Sequence, residues 1–251
     1  MLKDIDLEKV VAIAKEAGDA IMEIYARDFK VEYKDDKSPL TEADLKSNEI
    51  ICSALEKFYP NIPILSEENK AQDYSERKDW EYFWCIDPID GTKEFVKKNG
   101  EFTVNIALIH KHTPVLGVVY APVLEEMYKA KKGEGAFKNE VKLPIFINEN
   151  PEEKLCVVAS KSHLSGETQE FINALDTKEV SQASKGSSLK LVMVAEGVAD
   201  IYPRLAPTME WDTAAAHAVV LESGKNVVQF ESREEVIYNK ENLLNPWFVV
   251  Q

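Results

Sequence analysis

Between Tyr82 and Phe95 the chain runs from an apolar stretch straight into acid. Tyr82 to Ile86 is continuously apolar, the pattern of a strand buried on both faces. It ends at Asp87-Pro88-Ile89-Asp90-Gly91-Thr92-Lys93-Glu94-Phe95, where two aspartates stand three positions apart and Gly-Thr makes a tight turn. Oxygen ligands followed at once by backbone amides suit a metal-bound phosphate. Taken alone, the stretch also fits an acidic strand-to-helix turn, so the other parts of a site must be sought elsewhere.

The flanking sequence alternates helices and strands. Residues 4–27 predict an amphipathic helix, with Val10, Ile13, Ala17, Ile21 and Ile24 at three- and four-residue steps. Phe29 to Tyr33 alternates like a short strand, and residues 34–39 form a polar loop. Thr41-Glu42-Ala43-Asp44 fits a capping box that opens a second helix, and Ile62 to Leu65 is a strand delivering Ser66-Glu67-Glu68. Strands are expected at 102–109, 115–120 and 126–131, and a turn at Gly133 to Phe137. Composition shifts near 148–153, which divides the chain into halves, 1–147 and 148–251. The second half reads as strands at 155–159, 179–183, 199–202, 226–230 and 247–250. Its helices fall at 168–175, 187–196 and 211–222. Helices and strands mixed in both halves predict a layered α/β fold.

The net charge of −14 argues against a nucleic-acid polymer or an anionic membrane as partner. It makes an anionic small substrate paradoxical unless bound cations reverse the field locally. No apolar run approaches the ~18 residues of a membrane span. The first residues lack the basic and apolar regions of a signal peptide, so a cytoplasmic protein is expected. Cys52, Cys85 and Cys156 form no spacing motif and read as bystander thiols.

Four carboxylates fall where elements end: Glu67 and the pair Asp87 and Asp90 after strands, and Asp212 at the start of a helix. Crevices of open α/β folds form at such ends. Magnesium takes carboxylate, carbonyl and water oxygens, and the Ile89 carbonyl is a further candidate. Each residue also has a plainer reading. Asp90 and Asp212 fit helix N-caps, Asp44 fits half of a capping box, Glu67 and Glu68 fit solvated loop charges, and Lys93 fits a surface lysine. Other chemistries find no support: there is no Gly-x-Ser-x-Gly, no Cys-x-x-Cys, and His110, His112, His163 and His217 lack zinc-binding spacing.

Asp87-Pro88-Ile89-Asp90-Gly91-Thr92, preceded by Ser66-Glu67-Glu68 and followed by Glu210-Trp211-Asp212-Thr213-Ala214-Ala215, resembles the inositol monophosphatase superfamily of magnesium-dependent, lithium-sensitive phosphatases. The resemblance spans nearly the whole chain and implies an αβαβα sandwich. Asp90 to Phe95, Asn99 to Leu108, Gly186 to Lys190 and Tyr202-Pro203-Arg204 resemble the CysQ branch. That branch removes the 3′-phosphate of adenosine 3′,5′-bisphosphate, giving AMP.

The resemblance implies two to three magnesium ions. Glu67, Asp87 and the Ile89 carbonyl would hold the first. Asp87, Asp90 and Asp212 would hold the second, and Glu67 a third through waters. Thr92 and Asp44 would orient and deprotonate the attacking water, with the Gly91 and Thr92 amides on the phosphate. Lys93, Ser187, Ser188, Lys190 and Arg204 are candidates for the rest of the nucleotide, alongside Glu67, Ile89, Asp90 and Asp212 through the metal-bound phosphate. The segment after Leu221 lacks the glycine-rich run common in the family, which bears on contacts at the pocket edge. Peripheral association with the inner membrane is implied by resemblance alone, and oligomeric state stays open. The competing expectations are inositol monophosphatase or fructose 1,6-bisphosphatase activity, or a protein that binds a metal–phosphonucleotide without hydrolysing it.

Overall fold

The computed structural model describes residues 1–34, 37–70, 72–159 and 165–251. Asp35 and Asp36 of the expected polar loop, and His163, lie outside the described residues. Helix α1 (Leu7–Tyr25) starts where the Asp6 side chain accepts the Glu8 and Lys9 amides, and it buries the five periodic positions read from the sequence. The hairpin of β1 (Val31–Tyr33) and β2 (Pro39–Thr41) leads into α2 (Glu42–Phe58), capped by Thr41 and Asp44 as expected. Then come β3 (Ile64–Ser66), the single turn α3 (Tyr74–Arg77) and β4 (Tyr82–Asp90).

The β4 strand corrects one expectation: it does not stop at Ile86 but continues through Pro88 to Asp90. Its pairing shifts register between Asp87 and Asp90, as a bulge does. Pro88 lacks an N–H, so the ladder tolerates it only where pairing is already interrupted. After it come α4 (Thr92–Val96), β5 (Thr103–His110), β6 (Thr113–Ala121), β7 (Glu126–Lys131), β8 (Gly135–Lys138) and β9 (Val141–Lys142). The turn expected at Gly133 to Phe137 is thus shorter, since the strand begins at Gly135, where φ is +86°.

Strands β3 to β9 form one seven-stranded sheet in chain order, with only the β3–β4 pair parallel. Its two faces bury different cores. Trp84, Ile86, Val104, Ile106 and Leu108 pack with α1 and α2. Phe83, Cys85, Ala107 and Ile109 face the other way, onto helices supplied by the second half of the chain. The period of two along β4 and β5 therefore requires a helical layer on each side.

The second half begins with β10 (Lys154–Val158), α5 (Gly166–Asn173), β11 (Glu179–Ala183) and α6 (Leu189–Glu196). It continues with β12 (Tyr202–Arg204), α7 (Glu210–Glu222), β13 (Val227–Gln229) and β14 (Phe248–Val250). The strand expected at 199–202 begins three residues later, at Tyr202. Strands β10 and β11 pair, β12-β14-β13 form a second small sheet, and a parallel bridge from Val157 to Ile201 joins the two. The layers run α1 and α2, large sheet, α6 and α7, small sheets, α5, an αβαβα sandwich. No helix among the described residues is long and apolar enough to cross a membrane.

Helix α7 crosses the large sheet so closely that a Cβ on Gly117 of β6 would sit 2.1 Å from the Ala215 carbonyl oxygen. Backbone cannot retreat as a flexible side chain can, so overpacking here moves the whole helix. We expect Gly117→Ala to destabilise the fold by about 3 kcal/mol in urea unfolding. A loss within experimental error would show that the helix–sheet contact is looser than described.

Candidate active site

The carboxyl ends of β3 and β4 and the start of α7 meet at one end of the large sheet. β4 supplies Asp87 and Asp90, and α7 supplies Asp212 from its first turn. Each of the three offers an oxygen, and these oxygens all lie within 4.8 Å of one another. Asp87 Oδ1 accepts the Ile89 N–H at 3.1 Å, Asp90 Oδ2 that of Ser188 at 2.5 Å, and Asp212 Oδ2 that of Met209 at 2.8 Å. Among the described residues none of the three has a salt-bridge partner, although fifteen side-chain ion pairs and one terminal pair occur elsewhere.

Burial and mutual repulsion both favour the protonated acids. Burial, followed by the charges of Glu67, Asp90 and Asp212, pushes Asp87 well above the ordinary carboxylate range. Asp90 is pushed up to about 6 by burial, against the opposing pull of Lys190. Asp212 is pushed up to about 8 by burial and by Asp90. Clustered acids without an ion-pair partner are a donor set that fits a hard divalent cation, which would restore the anionic form of each.

Asp44 closes the capping box and also reaches Thr92. Its Oδ2 accepts the Thr41 N–H at 2.8 Å and the Thr41 hydroxyl at 2.6 Å, closing the capping box. Its Oδ1 accepts the Thr92 hydroxyl at 2.9 Å, 48 residues away. Burial raises its pKa most, partly offset by these bonds. Gly91, at φ +92°, turns the chain so that Thr92 can point back to α2. Thr92 Oγ1 also lies 3.3 Å from the Ile89 carbonyl, while the Ile89 side chain is packed in the core.

Glu67 stands at the edge of this group. Its charge acts on Asp87, but its Oε1 is paired at 2.9 Å with Lys34, which also reaches Glu68 at 2.7 Å. Sequence reasoning missed Lys34: it lay in a polar loop, and a pairing across 33 residues leaves no local signal. It also missed the polar supports on α2, where the Ser47 hydroxyl donates to the Pro88 carbonyl at 2.8 Å and Asn48 Oδ1 accepts the Ser66 hydroxyl at 2.7 Å. Thr103 and Asn105 were open to detection, as polar residues alternating on a buried strand.

A cavity of about 150 Å³ adjoins the aspartates, with Asp90, Gly91, Ser187, Ser188, Arg204 and Asp212 among its walls. A second, about 220 Å³, lies behind it and shares Glu94, Lys190, Tyr202 and Arg204. Burial lowers the Lys190 pKa against the attraction of Asp90, and its Nζ donates to the Lys185 carbonyl at 3.3 Å. Arg204 donates to the Pro207 carbonyl, and its buried Nε has no partner. Lys93 is exposed and lines neither cavity. His110 stacks on Tyr82 and His112 Nδ1 donates to the Tyr238 carbonyl, both away from the aspartates. A larger hollow of about 580 Å³, beside Phe29 and Leu45, includes none of the three aspartates.

Comparison with known proteins bears on this geometry. The family model described as "Inositol monophosphatase family" matches residues 5–247. The 3′(2′),5′-bisphosphate nucleotidase CysQ of Salmonella typhimurium is 45% identical over 246 residues, covering 97% of this chain and 98% of the relative. The protein of the same name from Escherichia coli K12 is 43% identical over the same shares. The crystal structure of CysQ from Bacteroides thetaiotaomicron superposes with a TM-score of 0.87 at 44% identity, covering 98% of this chain and 96% of that one. An IMPase from Thermotoga maritima gives 0.77 at 28% identity, covering 96% and 89%. On the match across almost its whole length and on this fold, the chain belongs to the inositol monophosphatase family.

Proposed function

We propose that the protein is a 3′(2′),5′-bisphosphate nucleotidase that hydrolyses the 3′-phosphate of adenosine 3′,5′-bisphosphate to AMP and phosphate. The observation that carries a metal-dependent phosphomonoesterase is the convergence of Asp87, Asp90 and Asp212 without a cationic side chain among them. The nucleotide as substrate class is supported by relatives of that name at 43–45% identity over 97% of the chain.

In this reading two to three magnesium ions bind. Asp87, with Glu67 and the Ile89 carbonyl, would hold one, Asp87, Asp90 and Asp212 would hold another, and Glu67 would serve a third. When bound, they supply Lewis acidity toward the phosphate and a more acidic water. The chain does the rest. Thr92 Oγ1 donates a hydrogen bond to Asp44 Oδ1, so its lone pairs face a water and orient it. Asp44, made more basic by burial, takes the water's proton through that hydroxyl. The Gly91 and Thr92 amides hold the phosphate. Lys190 and Arg204, between the two cavities, suit the second phosphate, with Ser187 beside them and Lys93 at the rim. No protein nucleophile is needed, which suits a site built from acids and amides. A binding protein without turnover is the weaker reading, because the Asp44–Thr92 pair is intact.

The direct test is phosphate release from adenosine 3′,5′-bisphosphate, inositol monophosphate and fructose 1,6-bisphosphate, each with magnesium and with chelator. The bisphosphate nucleotide is expected to turn over fastest, and only with the metal. Full hydrolysis in chelator would rule out the metal mechanism, and equal turnover of all three would rule out the nucleotide assignment. Asp90→Asn is expected to lower kcat at least ~100-fold while the protein still unfolds cooperatively, a larger effect than loss of an outer-shell partner. Lithium is expected to inhibit by competing at a magnesium position; activity unchanged across a lithium titration would contradict this.

The aspartates also set how metal-free protein responds to pH. An unfolded aspartate titrates near ~3.9, whereas Asp90 and Asp212 keep their protons up to about 6 and about 8. Between those limits the folded chain binds more protons than the unfolded one, so stability falls as pH rises. Chelator-treated protein is therefore expected to melt lower at about pH 8 than at about pH 5, and magnesium to raise the Tm more at the higher pH. An equal magnesium-induced rise at both would contradict the assignment.

A further inference from the structure

The hydrogen bond that holds Asp90 comes from the far half of the chain. Its Oδ2 accepts the backbone N–H of Ser188 at 2.5 Å. Ser188 is 1% exposed, and its hydroxyl is already committed. It donates to Asn105 Oδ1 at 3.0 Å and lies 2.8 Å from Thr103 Oγ1, which is left to act as its donor. Thr103 and Asn105 are themselves buried on β5, directly opposite Asp90 and Asp87 on β4. Cross-strand partners share a face of the sheet, so the two polar residues of β5 flank the two aspartates. Asn105 Nδ2 is buried with no partner. Such a donor is costly to leave unpaired, and its place beside Asp87 is accounted for if an oxygen of the metal-loaded site accepts from it.

The turn that carries Ser188 is shaped for close approach. Ser187 has φ +45°, and a Cβ on Gly186 would fall 2.6 Å from the Glu101 carbonyl oxygen. Only glycine lets the turn settle against the entry to β5. A hydroxyl that binds a phosphate must donate to it, and the single proton of Ser188 is already given to Asn105.

We propose that Ser188, Thr103 and Asn105 are positioning residues that fix the Asp90 carboxylate for the cation, and that Ser188 does this instead of touching the nucleotide. The proposal rests on the reading of Asp90 as a metal ligand. It makes cation affinity depend on a hydrogen-bond chain that crosses between the two halves of the molecule, beyond the ligands themselves.

Thr103→Val removes a hydroxyl at nearly constant volume, Thr103→Ser keeps it, and Ser188→Ala removes the hydroxyl that links Thr103 to Asn105. Manganese binding to chelator-treated, dialysed protein is measured by calorimetry, with thermal unfolding in chelator and KM for the bisphosphate at saturating magnesium alongside. Thr103→Val and Ser188→Ala are expected to weaken manganese binding about tenfold, as outer-shell partners of metal ligands do. Thr103→Ser should stay within about twofold of wild type, and KM should change by less than about twofold in all three. Asp90→Asn in the same titration separates two failures. If it binds manganese like wild type, the metal-ligand reading falls. If it loses binding while Thr103→Val and Ser188→Ala bind like wild type, the positioning role falls. A higher KM for Ser188→Ala with unchanged manganese affinity would also overturn it, returning Ser188 to the substrate. Should Ser188→Ala not fold in chelator, the comparison of Thr103→Val with Thr103→Ser decides by itself.

Discussion

Three carboxylates held within 4.8 Å of one another, mostly out of water, repel each other strongly, and much of the surrounding structure serves to hold them there. Helix α2 carries the clearest share of that work. Asp44, Ser47 and Asn48 lie at i, i+3 and i+4, on one face of the helix. They grip three points: Thr92 beyond Asp90, the Pro88 carbonyl between Asp87 and Asp90, and Ser66 just before Glu67. One helical face thereby sets the spacing of two acidic turns against each other. Without it, repulsion would be relieved by moving the turns apart.

The opposite side of the site is held in a different way. Glu210, wholly buried at the start of α7, accepts the Asn239 and Lys240 amides and the Lys240 ammonium. Asn245 donates to the Met209 carbonyl and to the Thr213 hydroxyl, on either side of Asp212. The first turn of α7 is therefore fixed by backbone and side-chain bonds from the C-terminal segment, not by its own propensity. The same helix lies against Gly117, so the position of Asp212 is tied to the large sheet that also ends in Asp87 and Asp90. Lys34 is engaged with Glu67 and Glu68, and Lys190 and Arg204 act on Asp90 and Asp212 without pairing to them, which leaves the three aspartates to a cation from solution.

Periodicity and local chemistry made much of this legible. The apolar stripe of α1, the Thr41–Asp44 box and the continuous apolar run of β4 each follow from neighbours in sequence, and each appears where those signals put it. The aspartates were legible through their motifs and their places at element ends. The continuation of β4 past Pro88 was not, because proline ordinarily ends a strand and the bulge that admits it depends on the partner strand β5. The short strand β2 owes its form to pairing more than to composition, and its first residue, Pro39, reads as part of the polar loop. Lys34, Ser47 and Asn48 are ordinary polar residues locally, and their roles come from partners 18 to 41 residues away. Ser188 shows the same limit from the other side. Its motif pointed to the nucleotide, while its burial and its bonds point to Asp90.

The central claim is that the acidic cluster is completed by divalent cations shared among the three aspartates. Crystals grown with manganese in place of magnesium test it most directly, because anomalous scattering locates the ions independently of the protein's own density. The account predicts a manganese ion touching carboxylate oxygens of Asp87, Asp90 and Asp212, with a second beside Asp87 and Glu67 once Lys34 has released that carboxylate. Manganese found only elsewhere on the molecule at saturating concentration, with the three aspartates bonded to one another through shared protons, would contradict it.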